Sequence, residues 1–138
     1  MVAVAVLPPA PLANDAVFSE DQLKAILARW LEAQGWVVEV AWGKTRGIDL
    51  HAQRRTERWI IEAKGGGSLD PMRVNYFLGV LGETLQRMDD PKTVYSIALP
   101  NVKQFRNLWN RLPLLAKQRT GITALFVSAD GQVEVADT

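Results

Sequence analysis

The chain has 138 residues, 48% of them apolar and 22% charged, with a net charge of +1 and no cysteine. That length fits one domain with a real hydrophobic core, and so small a net charge singles out no class of partner. The lack of cysteine excludes disulfides, thiolate metal sites and cysteine nucleophiles, a composition that suits the cytoplasm.

The opening stretch, MVAVAVLPPAPLANDA, is apolar and proline-rich. It has no positively charged start and its apolar run stops at Pro8, so it makes a poor signal peptide. Residues 1–15 are expected to be a flexible arm and residues 16–138 a single domain. No segment is long and apolar enough to cross a membrane.

Ser19 has the position of an N-cap, with Gln22 completing a capping box. Leu23, Ile26, Leu27, Trp30 and Leu31 then recur at helical spacing, and Gly35 closes the helix. WVVEVAW (36–42) is rich in β-branched and aromatic residues and reads as a strand. GKTRG is a loop with two bases, IDLHAQ (48–53) a second strand, RRTE a turn, and RWIIEAK (58–64) a third strand. That strand is apolar on both faces before its charges begin, which places it centrally in a sheet. After the glycines, Ser68 or Asp70 can cap a helix with Pro71 at its start, running to about Met88. TVYSIAL (93–99) is a fourth strand, NVKQFRNLWNRLPLLAKQR a helical stretch broken or kinked at Pro113, and GITALFVS (121–128) a fifth strand. A turn at Asp130-Gly131 leads to a short last strand. The order predicts an antiparallel unit followed by right-handed β-α-β crossovers. The expected fold is therefore a three-layer α/β domain, a mixed sheet of about five strands with helices on both sides.

Alternation along a strand puts Ile60, Glu62 and Lys64 on one face and Ile61 and Ala63 on the other. Asp49 faces opposite to Ile48 and Leu50, and the short RRTE hairpin sets its strand beside that of Glu62. Neighbouring strands lie about 4.8 Å apart, so these two carboxylates can ligate one Mg²⁺, whose ligands stand at about 2.0–2.1 Å. The backbone carbonyl of Ala63 offers a third ligand. Lys64 points at the same pocket, where it can hold a phosphate oxygen or orient an attacking water.

GID followed by EAK, within LEAQGWVVEVAWGKTRGIDLHAQRRTERWIIEAKG, resembles the core of the PD-(D/E)XK, or restriction-endonuclease-like, nuclease superfamily. The layout is closest to its resolvase-like and Mrr-like members. The resemblance implies a metal-dependent phosphodiesterase acting on DNA with Mg²⁺ or Mn²⁺, Asp49 and Glu62 as metal ligands, and Lys64 as the catalytic lysine. The sequence departs from the pattern in two places. Ile48 stands where many members have Pro. Lys24 stands near where many carry a glutamate ligand on the first helix, with Glu20 and Asp21 a turn earlier. Of these two acids Glu20 is the favoured ligand, although both can simply complement the helix dipole.

Around this pair the sequence offers further contacts. Gly65–Gly67 form either a flexible turn or a place where backbone approaches another backbone or a nucleic acid closely; Gly65 and Gly66 are the candidates for the latter. Lys44 and Arg46 precede Asp49 and can meet phosphates. Asn75, Gly79, Gly82 and Gln86 form one stripe of the following helix. It either faces the cleft, with Asn75 or Gln86 touching substrate, or packs against another helix or subunit. Phe77, Leu81, Leu85 and Met88 are assigned to the core, and Glu83 and Arg87 to a surface ion pair. His51 is either a proton carrier or a strand histidine bonded to a neighbour. Trp30, Trp36 and Trp59 are expected in the core, while Trp42 and Trp109 can stack on bases. The basic run of Lys103, Arg106, Arg111, Lys117 and Arg119 reads as a solvated helix face or a phosphate-binding one. A domain this small has little surface to read sequence with, so structure-directed or partner-directed DNA cleavage by a homodimer is the leading expectation. A nucleic-acid-binding module without turnover and an assembly protein are the rivals.

Overall fold

The computed structural model describes residues 18–65 and 70–138. The N-terminal arm and the candidate contact Gly66 lie outside the described residues. Among those described, ten elements follow in the order α1 (Glu20–Glu32), β1 (Val37–Val40), β2 (Leu50–Arg54), β3 (Glu57–Ala63), α2 (Asp70–Arg87), β4 (Val94–Pro100), α3 (Lys103–Arg111), α4 (Leu114–Thr120), β5 (Thr123–Val127) and β6 (Val133–Ala136). The strands form one sheet in the order β1-β2-β3-β4-β5-β6. β1, β2 and β3 pair antiparallel, β3-β4-β5 pair parallel, and β6 returns antiparallel on β5. The expected three-layer α/β architecture is present, with six strands rather than about five, because the turn at Gly131 (φ 92°) does lead into a paired strand.

The layers follow from side-chain alternation. Leu50, Ala52, Ile61, Ala63, Ala98 and Leu125 pack beneath Leu23, Ile26, Leu27 and Leu31 of α1. Ile60, Tyr95, Ile97, Leu99, Ala124 and Phe126 pack on the opposite side, with Phe77 and Val80 of α2 and Phe105 and Trp109 of α3. β3 to β4 and β4 to β5 step the same way across the sheet, so both crossovers lay their helices on one side, and among the described residues α1 is the helix that covers the other. The predicted capping box forms: Ser19 Oγ accepts from the Gln22 amide at 3.1 Å, and Gln22 Oε1 accepts from the Ser19 amide at 2.8 Å. The helix stops at Glu32, before Gly35, which turns the chain at φ 91°. Pro113 breaks the later helical stretch into α3 and α4, since a proline there removes a helical donor.

Several packing assignments change. Trp30, Trp36 and Trp59 pack edge to face, with centroids 5.8 and 5.6 Å apart. Trp109 joins the core too, its Nε1–H donating to the Thr138 carbonyl at 3.0 Å, and its face is not available to a base. Leu85, expected in the core, is half exposed, because α2 buries Phe77, Val80 and Thr84 instead. The basic run is partly spent internally. Arg106 forms a two-pronged bond to Glu134 at 2.6 and 3.0 Å, and Lys117 is buried over the Trp109 ring.

Candidate metal centre

The β2–β3 register pairs Leu50 with Ile61, which carried one residue back sets Asp49 opposite Glu62. Both carboxylates tie the two strands together where the ladder ends. Asp49 Oδ2 accepts from the Ala63 amide at 2.8 Å, and the Asp49 amide donates to Glu62 Oε2 at 3.1 Å. Asp49 and Glu62 are thus brought together as the sequence suggests. Ala63 meets this arrangement through its N–H, as a donor to Asp49.

Glu62 is fully buried, on the side of the sheet that α2 covers. Its Oε2 lies 3.7 Å from Arg87 Nε, while its Oε1 has no hydrogen-bond donor. Glu83, one turn before Arg87 on α2, completes a cluster in which ligand atoms of Asp49, Glu62 and Glu83 all lie within 4.8 Å of one another. Burial pushes the Glu62 carboxyl up to about 7. The Asp49 charge and the Glu83 carboxyl act in the same direction, against the Asp49 amide and Arg87. A buried carboxylate oxygen with no donor, flanked by two more carboxylates, fits a hard divalent cation, which takes oxygen ligands. The cluster can therefore bind a metal ion.

Glu83 and Arg87 are not the surface pair that their i, i+4 spacing suggests. Arg87 turns to Glu62 and donates to the Gly47 carbonyl at 2.9 Å, closing the cleft from the α2 side. The sequence offered one signal for this: both residues sit on a helix that must pack over the Glu62 face of the sheet.

Lys24 is the larger surprise. It is 1% exposed, and its ammonium spends its donors on the Ala41 carbonyl at 2.6 Å, Glu20 Oε2 at 3.1 Å and Asp49 Oδ1 at 3.3 Å. Burial alone would lower its pKa, but the charges and hydrogen bonds of Asp49 and Glu20 together raise it above the ordinary value. Glu20, Lys24, Leu27 and Leu31 share one helical stripe, and a lysine in a buried stripe needs partners. Glu20 therefore faces Lys24, outside the three-carboxylate cluster.

An open cleft lies over the cluster, lined by Glu20, Lys44, Arg46, Asp49, Glu83 and Arg87 among others. Lys44 and Arg46 stand on its rim, as the sequence suggests. Lys64 lies in an adjoining recess with Glu20, Gly65 and Tyr76, its ammonium 5.6 Å from the Tyr76 ring. Its amide donates to the Ala98 carbonyl, extending the β3–β4 ladder by one bond. Gly65 is buried against the start of α1, where an added Cβ would stand 2.7 Å from the Glu20 nitrogen. The close approach it permits is to another backbone. Asn75 and Gln86 are exposed on α2 and do not line the cleft. His51 is held by strand neighbours, its Nε2 accepting from Arg58 at 3.2 Å and its Nδ1 3.8 Å from Glu39.

No family model and no curated protein matches the chain. Two solved structures share its fold. An XisH family protein from Nostoc punctiforme superposes with a TM-score of 0.57 at 16% identity, covering 83% of this chain and 98% of that one. An fdxN element excision controlling factor protein from Anabaena variabilis gives a TM-score of 0.57 at 15% identity, covering 84% and 98%. Among the described residues no helix is long and apolar enough to cross a membrane.

Proposed function

We propose that this chain is a metal-dependent DNA nuclease of the restriction-endonuclease-like kind, working in the cytoplasm with Mg²⁺ or Mn²⁺. The observation that carries the reading is the donor-less, fully buried Oε1 of Glu62 within reach of Asp49 and Glu83. An oxygen in that state costs free energy unless a cation or a proton meets it. Asp49, Glu62 and Glu83 would hold the ion, and Glu83 enters the ligand set where Glu20 was the favoured acid. A bound divalent cation supplies Lewis-acid polarisation of a phosphodiester and a more acidic water. The protein's part is to position and compensate. Lys44 and Arg46 receive the phosphate backbone at the cleft rim. Lys64, in the neighbouring recess, offers its ammonium to the charge that develops on the phosphate. Arg87 stands 3.7 Å from Glu62 Oε2 on the α2 side, while Oε1 is buried with no donor.

The substrate proposed is DNA marked by structure or presented by a partner. That one protein of this fold is an excision controlling factor supports a setting in DNA rearrangement. We place a second copy of the chain on the exposed side of α2. There Val74, Leu78 and Leu85 project beside Gly79 and Gly82, over which there is open space. Knobs and hollows on one patch suit a two-fold contact. A second reading, a DNA-binding module without turnover, is favoured by the Lys24 ammonium already seated on Asp49. The test that separates them is incubation of wild type and Glu62→Ala with branched, nicked and linear DNA in Mg²⁺ or Mn²⁺. Metal-dependent cleavage by wild type alone supports the nuclease. Equal DNA binding by both proteins, with no cleavage, supports the module.

A further inference from the structure

The most buried charge on α1 belongs to a residue that the nuclease reading leaves without a role. We propose that Lys24 is a resident counter-cation of the acidic site: it occupies the Glu20–Asp49 side and confines the site to one weakly held divalent ion on the Glu62–Glu83 side. The inference rests on the metal-binding reading above and adds what tunes it. Lys24 has three ammonium protons and three oxygen partners, the Ala41 carbonyl, Glu20 and Asp49. It is therefore satisfied where it stands and has no reason to leave. Asp49 is equally engaged, with Oδ1 on Lys24 and Oδ2 on the Ala63 amide. The acceptor left without a donor is Glu62 Oε1. A divalent ion that uses Asp49 must share it with an ammonium 3.3 Å from its Oδ1, and two cations on one carboxylate repel each other. A second divalent ion on the Glu20 side would meet that ammonium directly. Lys24 is thus a positioning residue, which presets Asp49 and sets ion number and affinity without touching the substrate.

The test is calorimetric titration of Mg²⁺ and Mn²⁺ into wild type, Lys24→Met and Lys24→Gln, each checked for folding by circular dichroism and thermal melting. Lys24→Gln keeps a donor for Ala41 and serves as the comparison where Lys24→Met does not fold. Wild type is expected to bind one ion per chain. Removal of the ammonium should tighten binding by about tenfold or more, and enlarge the rise in melting temperature that metal gives. Folded variants that bind as weakly as wild type, or more weakly, overturn the inference and leave the metal centre standing. So do two ions per chain in wild type. No binding by any of the three proteins overturns both the inference and the nuclease reading. Binding by the variants alone supports Lys24 as the resident cation and overturns metal-dependent cleavage by wild type.

Discussion

Glu62→Gln should make the metal-free protein more stable above neutral pH and deprive it of stabilisation by divalent metal. The Glu62 side chain is fully buried, and burial lifts its carboxyl from 4.5 to about 7. The sign follows from proton linkage. Below pH 4.5 the carboxyl is protonated in folded and unfolded chains alike and costs nothing. Between 4.5 and about 7 the folded state holds the proton while the unfolded state releases it, so stability falls as pH rises. Above about 7 both states are ionised and the folded state bears the whole penalty, about 3 kcal/mol at 1.36 kcal/mol per pH unit. Glutamine keeps the shape and carries no charge. Urea unfolding of both proteins across this range should show the variant's advantage growing by about 3 kcal/mol from acid to mild alkali, a difference in which titrating groups remote from the cluster cancel. Saturating Mg²⁺ or Mn²⁺ should stabilise wild type and not the variant. A difference that is flat with pH, or that grows towards acid, would refute the account of Glu62 as a buried carboxylate whose Oε1 lacks a donor.

Lys64→Met should leave metal affinity unchanged in calorimetry while lowering DNA cleavage by about 10²–10³-fold, the scale for losing one charge-stabilising group. Gly65→Ala places a Cβ 2.7 Å from the Glu20 nitrogen and 3.1 Å from the Phe18 oxygen. It should lower unfolding free energy by about 1–3 kcal/mol in urea denaturation, and a neutral effect would show that the start of α1 yields easily. Leu78 is 60% exposed, so Leu78→Asp should leave the fold intact and turn the proposed dimer into a monomer in sedimentation. A monomeric wild type, or a dimeric variant, would remove α2 as the contact surface.

Much of the fold was legible because its signals are local. The capping box at Ser19, the β-branched strands and Pro113 act within a turn or two of chain, and each element formed close to where its residues place it. Asp49 and Glu62 were legible for the same reason, since a short hairpin and strand alternation bring them together with no knowledge of the helices. Glu83, Arg87 and Lys24 were not. Their roles depend on which way α1 and α2 roll over the sheet, a tertiary choice made by Phe77, Val80, Leu23 and Leu27 filling the two cores. An i, i+4 pair of opposite charge on a helix looks like a surface pair whichever face it occupies. Gly65 shows the converse, a residue whose type signals a close approach and whose partner, the backbone of Phe18–Glu20, is remote in sequence.

The central claim is that Asp49, Glu62 and Glu83 bind a divalent ion with which the protein cleaves DNA. The most direct test is Mn²⁺ titration of wild type, Glu62→Gln and Glu83→Gln, followed by addition of a nicked or branched duplex to the same samples. The account predicts that wild type binds the ion and cuts, that Glu62→Gln does neither, and that Glu83→Gln binds more weakly and cuts more slowly. Metal binding that survives both substitutions unchanged would contradict it.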